Sequence, residues 1–190
     1  MSFLARHTFS LLSTATFAVF ACLVLWAYNN DLEHLTLPPP QPAYPIEHSH
    51  IITAYHNRPE TPNISYALAN ILTHNPIKKV AFVILLSFKP QHTLLTAYAH
   101  HAQFGAVQSL SKAAPYYFGV SVNHLSIGET LLLLKLAHNP TLPITDPITT
   151  LQQRDALLTD LYTHKNLTPT QYQTERHKAL ALTADHRPIN

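Results

Sequence analysis

Histidine is the most frequent side chain in this chain that could ligate a metal or move a proton, with 14 copies among 190 residues. The closest groupings are His48-x-His50 and His100-His101. A zinc site takes three or four ligands, and on a helix it typically uses the spacing His-Glu-x-x-His, which the sequence does not contain. The sequence therefore predicts no metal site and no cofactor.

Two serines have spacings that are found in serine acylating enzymes. Ser109-x-x-Lys112 matches the nucleophile motif, and Ser121-x-Asn123 matches its companion. The third part of such sites, Lys-Thr-Gly, does not follow in this sequence. An acyl-transfer site is therefore not predicted.

The charge content excludes a nucleic-acid-binding surface. Only 12% of the residues are charged and the formal net charge is +2, whereas nucleic-acid-binding domains carry clustered basic residues. The single cysteine, Cys22, lies in an apolar run near the N-terminus. Disulfides are therefore not expected to stabilise the rest of the chain.

An apolar run without a charged residue extends from Thr8 to Trp26. A run of about 20 residues can cross the hydrocarbon core of a bilayer as a helix. Arg6 precedes it, and Asp31 and Glu33 follow it, so the positive-inside rule places the N-terminal side in the cytoplasm. The alternative is a cleaved signal peptide, but no clear small-x-small cleavage site follows the run.

These features divide the chain into four predicted segments. Five prolines between Leu35 and Pro45 favour an extended, semi-rigid spacer that lifts the following domain off the membrane. We expect a single-pass protein of the cytoplasmic (inner) membrane with a periplasmic domain. The segments are a cytoplasmic N-terminus at 1–7, a transmembrane helix at 8–28, a linker at 29–46 and a helical domain at 47–190.

The domain has helical rather than strand periodicity, which predicts an all-α fold. Ser126-x-x-Glu129 and Thr168-x-x-Gln171 are capping boxes that begin helices. Gly105 and Gly119 each follow a phenylalanine, and both are expected to end helices in a left-handed conformation. Helices are predicted at 65–73, 77–88, 91–103, 107–114, 126–137 and 149–162, and from 168 onward.

The helix over 126–137 is apolar nearly all round, which predicts the central buried helix. Its leucines Leu131, Leu132, Leu134 and Leu136 are expected to pack near Tyr98, Phe104 and Phe118. On the helix over 77–88, one apolar face is predicted from Ile77, Val80, Ala81, Ile84, Leu85 and Phe88.

The order of these signals from Leu94 to Tyr172 resembles the second half of glycosyltransferase family 51, the peptidoglycan transglycosylase module of bacterial cell-wall synthases. The family pattern runs Ile-Leu-Glu-x-Tyr-Leu-Asn, Phe-Gly, Ala-Ala-x-x-Tyr-Phe-Gly and Leu-(Ser/Thr)-x-x-Glu, followed by a helix with an arginine. The resemblance implies a lysozyme-like helical fold and lipid II as substrate. The residues of this chain that match the family pattern are Leu94–His100, Phe104-Gly105, Ala113–Gly119, Leu125–Glu129, Arg154, Leu157-Leu158 and Leu167-Thr168-x-x-x-Tyr172.

The same resemblance implies the candidate site residues. Glu47 holds the place of the glutamate that serves as general base in the first family motif. Lys78 and Lys79 correspond to the basic pair of the third motif and would hold phosphate. In the fourth motif, Thr96 replaces a glutamate and His100 replaces an asparagine, so His100 is the remaining substrate-binding candidate.

Positions that pack or cap a helix are retained, whereas most positions that bear charge or bind sugar are not. We therefore expect an inactive or weakly active relative that binds lipid II, nascent glycan or a cell-wall synthase. Two alternatives stay open. One is a divergent but active glycosyltransferase that uses Glu47, and the other is a structural helical domain tethered to the membrane.

Overall fold

The structure is a computed structural model that describes residues 48–140, 146–180 and 182–183, together with Val19, Ala21, Cys22 and Tyr44. These residues form eight α-helices, one 3₁₀ turn and one two-stranded hairpin. The all-α prediction is confirmed, with the short hairpin as an addition. The elements are α1 (Ser49–His56), α2 (Ile64–Leu72), α3 (Pro76–Ser87), α4 (Gln91–His101), β1 (Gln103–Phe104), β2 (Val107–Gln108), α5 (Leu110–Phe118), the 3₁₀ turn (Val122–His124), α6 (Ile127–His138), α7 (Pro147–Thr163) and α8 (Pro169–His177).

Both predicted capping boxes are confirmed. The Ser126 hydroxyl accepts from the backbone N–H of Glu129, and the Glu129 carboxylate accepts from the backbone N–H of Ser126 at 2.8 Å. Thr168 and Gln171 make the same reciprocal pair at the start of α8. Each box provides partners for backbone donors that the first turn of a helix leaves unsatisfied.

The two Phe-Gly pairs have different roles. Gly119 ends α5 with φ +69°, the left-handed conformation that was predicted. Gly105 also has a positive φ, +58°, but it lies in the turn that joins β1 to β2. The prediction that it ends a helix is wrong, because α4 already ends at His101 and the chain then turns back as a hairpin.

The central helix is α6, as predicted. Its leucines from Leu131 to Leu134, together with Leu136, are at most 1% exposed. Tyr98 from α4, Phe104 from β1 and Phe118 from α5 are also buried in this core. The predicted core is therefore confirmed.

The apolar face predicted for α3 is only partly buried. Ala81 packs into the core, as do Phe82 and Leu86, which the prediction did not include. Ile77, Val80 and Phe88 point outward, with 63%, 56% and 82% of their surface exposed. Helix α3 packs mainly against α2, through one of its sides. Because α3 is apolar on both sides, the other side stays uncovered.

Two local predictions differ from the structure, and a third concerns residues that the structure mostly does not describe. Helix α1 was not predicted, and the segment predicted as helical from residue 107 begins with β2 before α5 starts at Leu110. Among the described residues, no helix is long and apolar enough to cross a membrane. The predicted span at 8–28 lies outside the described residues except for Val19, Ala21 and Cys22.

A buried polar joint connects α6, α7 and α8. The guanidinium of Arg154, on α7, donates to the carbonyl oxygens of Arg176 and Lys178 at 2.9 and 2.6 Å. The Glu175 carboxylate accepts from the backbone N–H of Gly128 at 3.0 Å. Arg154, the arginine that the resemblance pointed to, is therefore a structural residue that fixes the end of α8.

Candidate functional site

A cleft of about 520 Å³ opens between α1, the start of α4 and the loop that joins α7 to α8. Helix α1 contributes one wall with side chains on successive turns, and α4 contributes the opposite wall through its first turn. Tyr44 is one of its lining residues, with 5% of its surface exposed. The lining residues are Tyr44, Ser49, His50, Thr53, Ala54, Asn57, Gln91, His92, Leu95 and Asn166.

Hydrogen bonds hold the two walls of the cleft together. The Gln91 side-chain amide donates to the Thr53 hydroxyl at 2.6 Å, and that hydroxyl donates to the carbonyl oxygen of Ser49 at 2.8 Å. On α4, the Thr96 hydroxyl donates to the carbonyl oxygen of His92 at 2.9 Å. The cleft is thus a pre-formed feature of the fold rather than a gap between independent elements.

The described lining residues include no carboxylate, lysine or arginine. Their polar groups are amides, hydroxyls and two exposed imidazoles, those of His50 and His92. Burial raises the pKa of Tyr44, and a hydrogen bond with Thr96 acts in the opposite direction. The Tyr44 hydroxyl therefore stays protonated at neutral pH and can donate or accept a hydrogen bond.

Neutral amides and hydroxyls suit an uncharged ligand rich in hydroxyl groups. Ligand sites commonly combine an apolar floor with a few polar groups that fix orientation. A charged ligand would find no opposite charge among these side chains. The amides and hydroxyls of the described lining residues are suited to binding such a ligand through hydrogen bonds.

Glu47 lies outside the described residues, but Tyr44 before it and His48 and Ser49 after it are described. Tyr44 and Ser49, on either side of it, both line the cleft. His48 is buried, and its Nδ1 lies 3.0 Å from the Thr130 hydroxyl on α6. Tyr44 and His48, on either side of Glu47 in the sequence, are therefore both buried.

The other predicted site residues lie elsewhere. Lys78 and Lys79 are half-buried in the first turn of α3, and neither lines the cleft. His100 is exposed in the last turn of α4, with its ring 5.9 Å from that of His101. His92 lies on the same helix, so the helical rise puts His100 about 12 Å farther along the axis. The structure therefore does not bring the lysine pair or His100 into the cleft.

An aromatic cluster that does not line the cleft contains two histidines, the buried His56 and the half-buried His138. The His56 ring lies 4.6 Å from Tyr98 and 5.5 Å from His138, and Tyr55 packs edge-on against both histidines. Burial lowers the pKa of His56 to about 4, although its contact with the Pro62 carbonyl opposes this. Burial also lowers the pKa of His138. Both rings therefore pack as aromatic groups, one in the core at His56 and one at its edge at His138.

The residues that line the cleft were mostly missed at the sequence level. Asn57 ends α1, Gln91 begins α4, and Asn166 lies between α7 and α8. Each is a common polar residue at a helix boundary, so its type carries no functional signal by itself. His50 was noticed only as part of a histidine pair.

The described residues form a small helical domain with a polar cleft, whose described lining residues include no carboxylate, lysine or arginine. No protein-family model matches the chain. Penicillin-binding protein 1B of Buchnera aphidicola subsp. Baizongia pistaciae (strain Bp) is 27% identical over 112 residues, which cover 55% of this chain and 15% of that protein. A crystal structure of penicillin-binding protein 1A from Haemophilus influenzae matches with 15% identity and a TM-score of 0.40, over 65% of this chain and 17% of that one.

The chain therefore has a weak similarity to part of these penicillin-binding proteins. It spans less than a fifth of the length of either protein.

Proposed function

We propose that this chain is a binding component of bacterial cell-wall synthesis, related to the glycosyltransferase family 51 enzymes but inactive or weakly active as one. Its ligand is the sugar portion of lipid II or of the nascent glycan strand, and its protein partner is a cell-wall synthase. The weak similarity to penicillin-binding proteins and the order of motifs from Leu94 to Tyr172 support the family relationship. We also propose that the domain is anchored by residues 8–28 and lies on the periplasmic side.

The observation that carries the binding role is the neutral cleft between α1 and α4. Its amides and hydroxyls match the hydrogen-bonding groups of a glycan. The absence of lysine or arginine among its described lining residues favours the sugars over the pyrophosphate as the recognised part. Binding requires less precise placement of groups than stabilising a transition state does.

Low polymerising activity follows from what the reaction needs. A placed general base is typically worth about 10²–10⁴-fold in rate, and preorganised charge at the leaving group is often the largest contribution. Thr96 stands where the family has a motif glutamate, and it is buried with its hydroxyl donating to His92. It therefore cannot replace that carboxylate.

The test combines turnover with binding, using the full chain in mild detergent. We expect no polymer from labelled lipid II under conditions in which a family enzyme makes long strands, and measurable binding of purified glycan strands by thermophoresis. Asn57→Ala and Gln91→Ala each remove a polar group from the cleft and should weaken binding about two- to tenfold. Gln173→Ala, at an exposed amide on α8, is the matched control and should bind normally.

Lack of binding by the wild-type chain would contradict the proposal and favour a structural, membrane-tethered domain. Equal weakening by Gln173→Ala would show that the cleft is not the site.

The second candidate is a divergent but active glycosyltransferase with Glu47 as its base. It is favoured by one observation, the position of Tyr44 and Ser49 in the cleft on either side of Glu47 in the sequence. The deciding variant is Glu47→Gln, which keeps the shape of the side chain and removes its basicity. Robust polymerisation by the wild-type chain that this variant abolishes would establish the enzyme and overturn the non-catalytic role.

A further inference from the structure

Helix α3 presents an apolar stripe to solvent. Ile77, Val80, Ile84 and Phe88 follow one another at intervals of three or four residues, so they lie along one side of the helix. Three of them are among the most exposed large hydrophobic side chains of the described residues, and Ile84 is half-buried between them. These four residues form the apolar stripe of α3.

The opposite side of α3 is also apolar. Ala81, Phe82 and Leu86 are buried in the core, with at most 5% of their surface exposed. A helix that is apolar all round is normally covered on all sides, and monomeric proteins rarely leave contiguous apolar surface uncovered unless it binds something. The apolar stripe therefore requires a partner that accepts apolar side chains.

The stretch of sequence that contains the stripe carries charges of one sign. From residue 61 to residue 128 the sequence contains no aspartate, glutamate or arginine, and it contains four lysines, which gives this segment a formal charge of +4. Lys78 and Lys79 lie in the first turn of α3, and Lys89 lies just after its end. The stripe is thus bounded by basic side chains at both ends.

We propose that the apolar stripe of α3 rests in the headgroup region of an anionic lipid bilayer. At 12 residues, α3 is about 18 Å long and too short to cross the hydrocarbon core, so it lies in the plane of the interface. Helices of this kind bury Phe, Leu and Ile side chains and place lysines toward anionic headgroups. Complementary charge favours the lipid surface over an uncharged apolar partner.

This contact goes beyond the proposed glycan binding and does not depend on it. It also has a consequence for the cleft. Phe88 precedes Gln91, a cleft residue, by three positions, so at most about 11 Å of chain separates them. Seating the stripe on a bilayer would hold the rim of the cleft close to the headgroups, where the sugars of a lipid-linked molecule lie.

The experiment reports the surroundings of Phe88 in the reconstituted full chain. Cys22→Ser removes the only native cysteine, and Phe88→Cys then carries an environment-sensitive fluorophore. Ile148→Cys, at an equally apolar side chain that is 68% exposed on α7, is the matched control. Both labelled variants are placed in vesicles of phosphatidylglycerol and phosphatidylcholine that contain spin-labelled lipid. Quenching of the fluorophore by the spin-labelled lipid is then compared with its quenching by aqueous iodide.

We expect lipid quenching several-fold stronger at position 88 than at position 148, and weaker iodide quenching at position 88. Replacing phosphatidylglycerol by phosphatidylcholine should reduce the lipid quenching. Lys89→Gln should weaken the seated state about fivefold, whereas Lys165→Gln, at an exposed lysine after α7, should not. These results would support the proposal.

Equal lipid quenching at the two positions would overturn it. Protection of position 88 from iodide without lipid quenching would also overturn it, and would assign the stripe to a protein partner or to a second copy of the chain. Loss of glycan binding has no bearing on either outcome, because the label reports only the place of α3.

Discussion

At the scale of single residues, His56 carries an imidazole, a group that proteins often use in catalysis and metal binding. Here the imidazole is buried in the core. Burial holds its pKa at about 4, whereas an imidazole in an unfolded chain titrates near 6.5. Between these two pH values the unfolded state binds more protons than the folded state. The contribution of the neutral His56 ring to stability is therefore complete above pH 6.5 and is lost as the pH falls toward 4.

We expect the free energy of unfolding to fall about 2 kcal/mol more for the wild-type chain than for His56→Gln when the pH goes from about 7.5 to about 5. Urea unfolding of the full chain in mild detergent measures both values. His138, whose pKa is also lowered, contributes in the same direction in both proteins. Gln173→Ala, at an exposed side chain that does not titrate, should keep the wild-type slope, and an equal slope for His56→Gln would contradict the burial of a neutral ring.

Gly128 shows a second effect at the residue scale. A Cβ at this position would lie 2.7 Å from Cδ and 2.9 Å from Cγ of Arg154, whose guanidinium is fixed by the carbonyl oxygens of residues 176 and 178. We expect Gly128→Ala to destabilise by about 1–3 kcal/mol through overpacking, reduced by up to about 1 kcal/mol because alanine favours the helix. In the double variant with Arg154→Ala the cost should disappear, and strictly additive losses would show that the two residues do not compete for space.

At the scale of elements, α6 is where sequence and structure agree most closely. Leu132 is fully buried on this helix, so Leu132→Ala should destabilise by about 2–5 kcal/mol. Ile148→Ala, at an exposed position on α7, should change stability by no more than about 0.5 kcal/mol. Denaturant titration of both variants tests this, and a small effect at Leu132 would mean that α6 is not the centre of the core.

Local signals explain which elements could be predicted. The boxes at Ser126 and Thr168 are complete within four residues, so α6 and α8 were placed correctly from sequence. Helix α1 has no such signal, because His48 makes no side-chain cap. Helix α5 begins after Ser109, whose φ of +74° is unusual for a residue other than glycine and depends on the fold around it.

At the scale of the whole molecule, the cleft was beyond the reach of sequence patterns. Its walls come from Tyr44, α1, α4 and the segment around Asn166, and no periodicity links residues that far apart. The candidate residues inferred from family resemblance follow the order of motifs along the sequence, whereas the residues that line the cleft come from distant parts of it. The charge pattern could be predicted more directly, since the carboxylate-free stretch from 61 to 128 is visible in the sequence.

The same charge logic predicts the orientation of the whole chain in the membrane. Arg6 lies before the apolar run, and Asp31 and Glu33 lie after it, so we expect residues 8–28 to span the cytoplasmic membrane with the C-terminus outside. Alkaline phosphatase fused to the C-terminus should be active, and a reporter that works only in the cytoplasm should be silent. In a control that combines Arg6→Glu with Asp31→Lys and Glu33→Lys, the positive charge lies on the other side of the run, and a fraction of the molecules should reverse. Activity from the cytoplasmic reporter alone in the wild-type chain would place the cleft and the apolar stripe of α3 in the wrong compartment for cell-wall precursors, and the proposed function would fail with it.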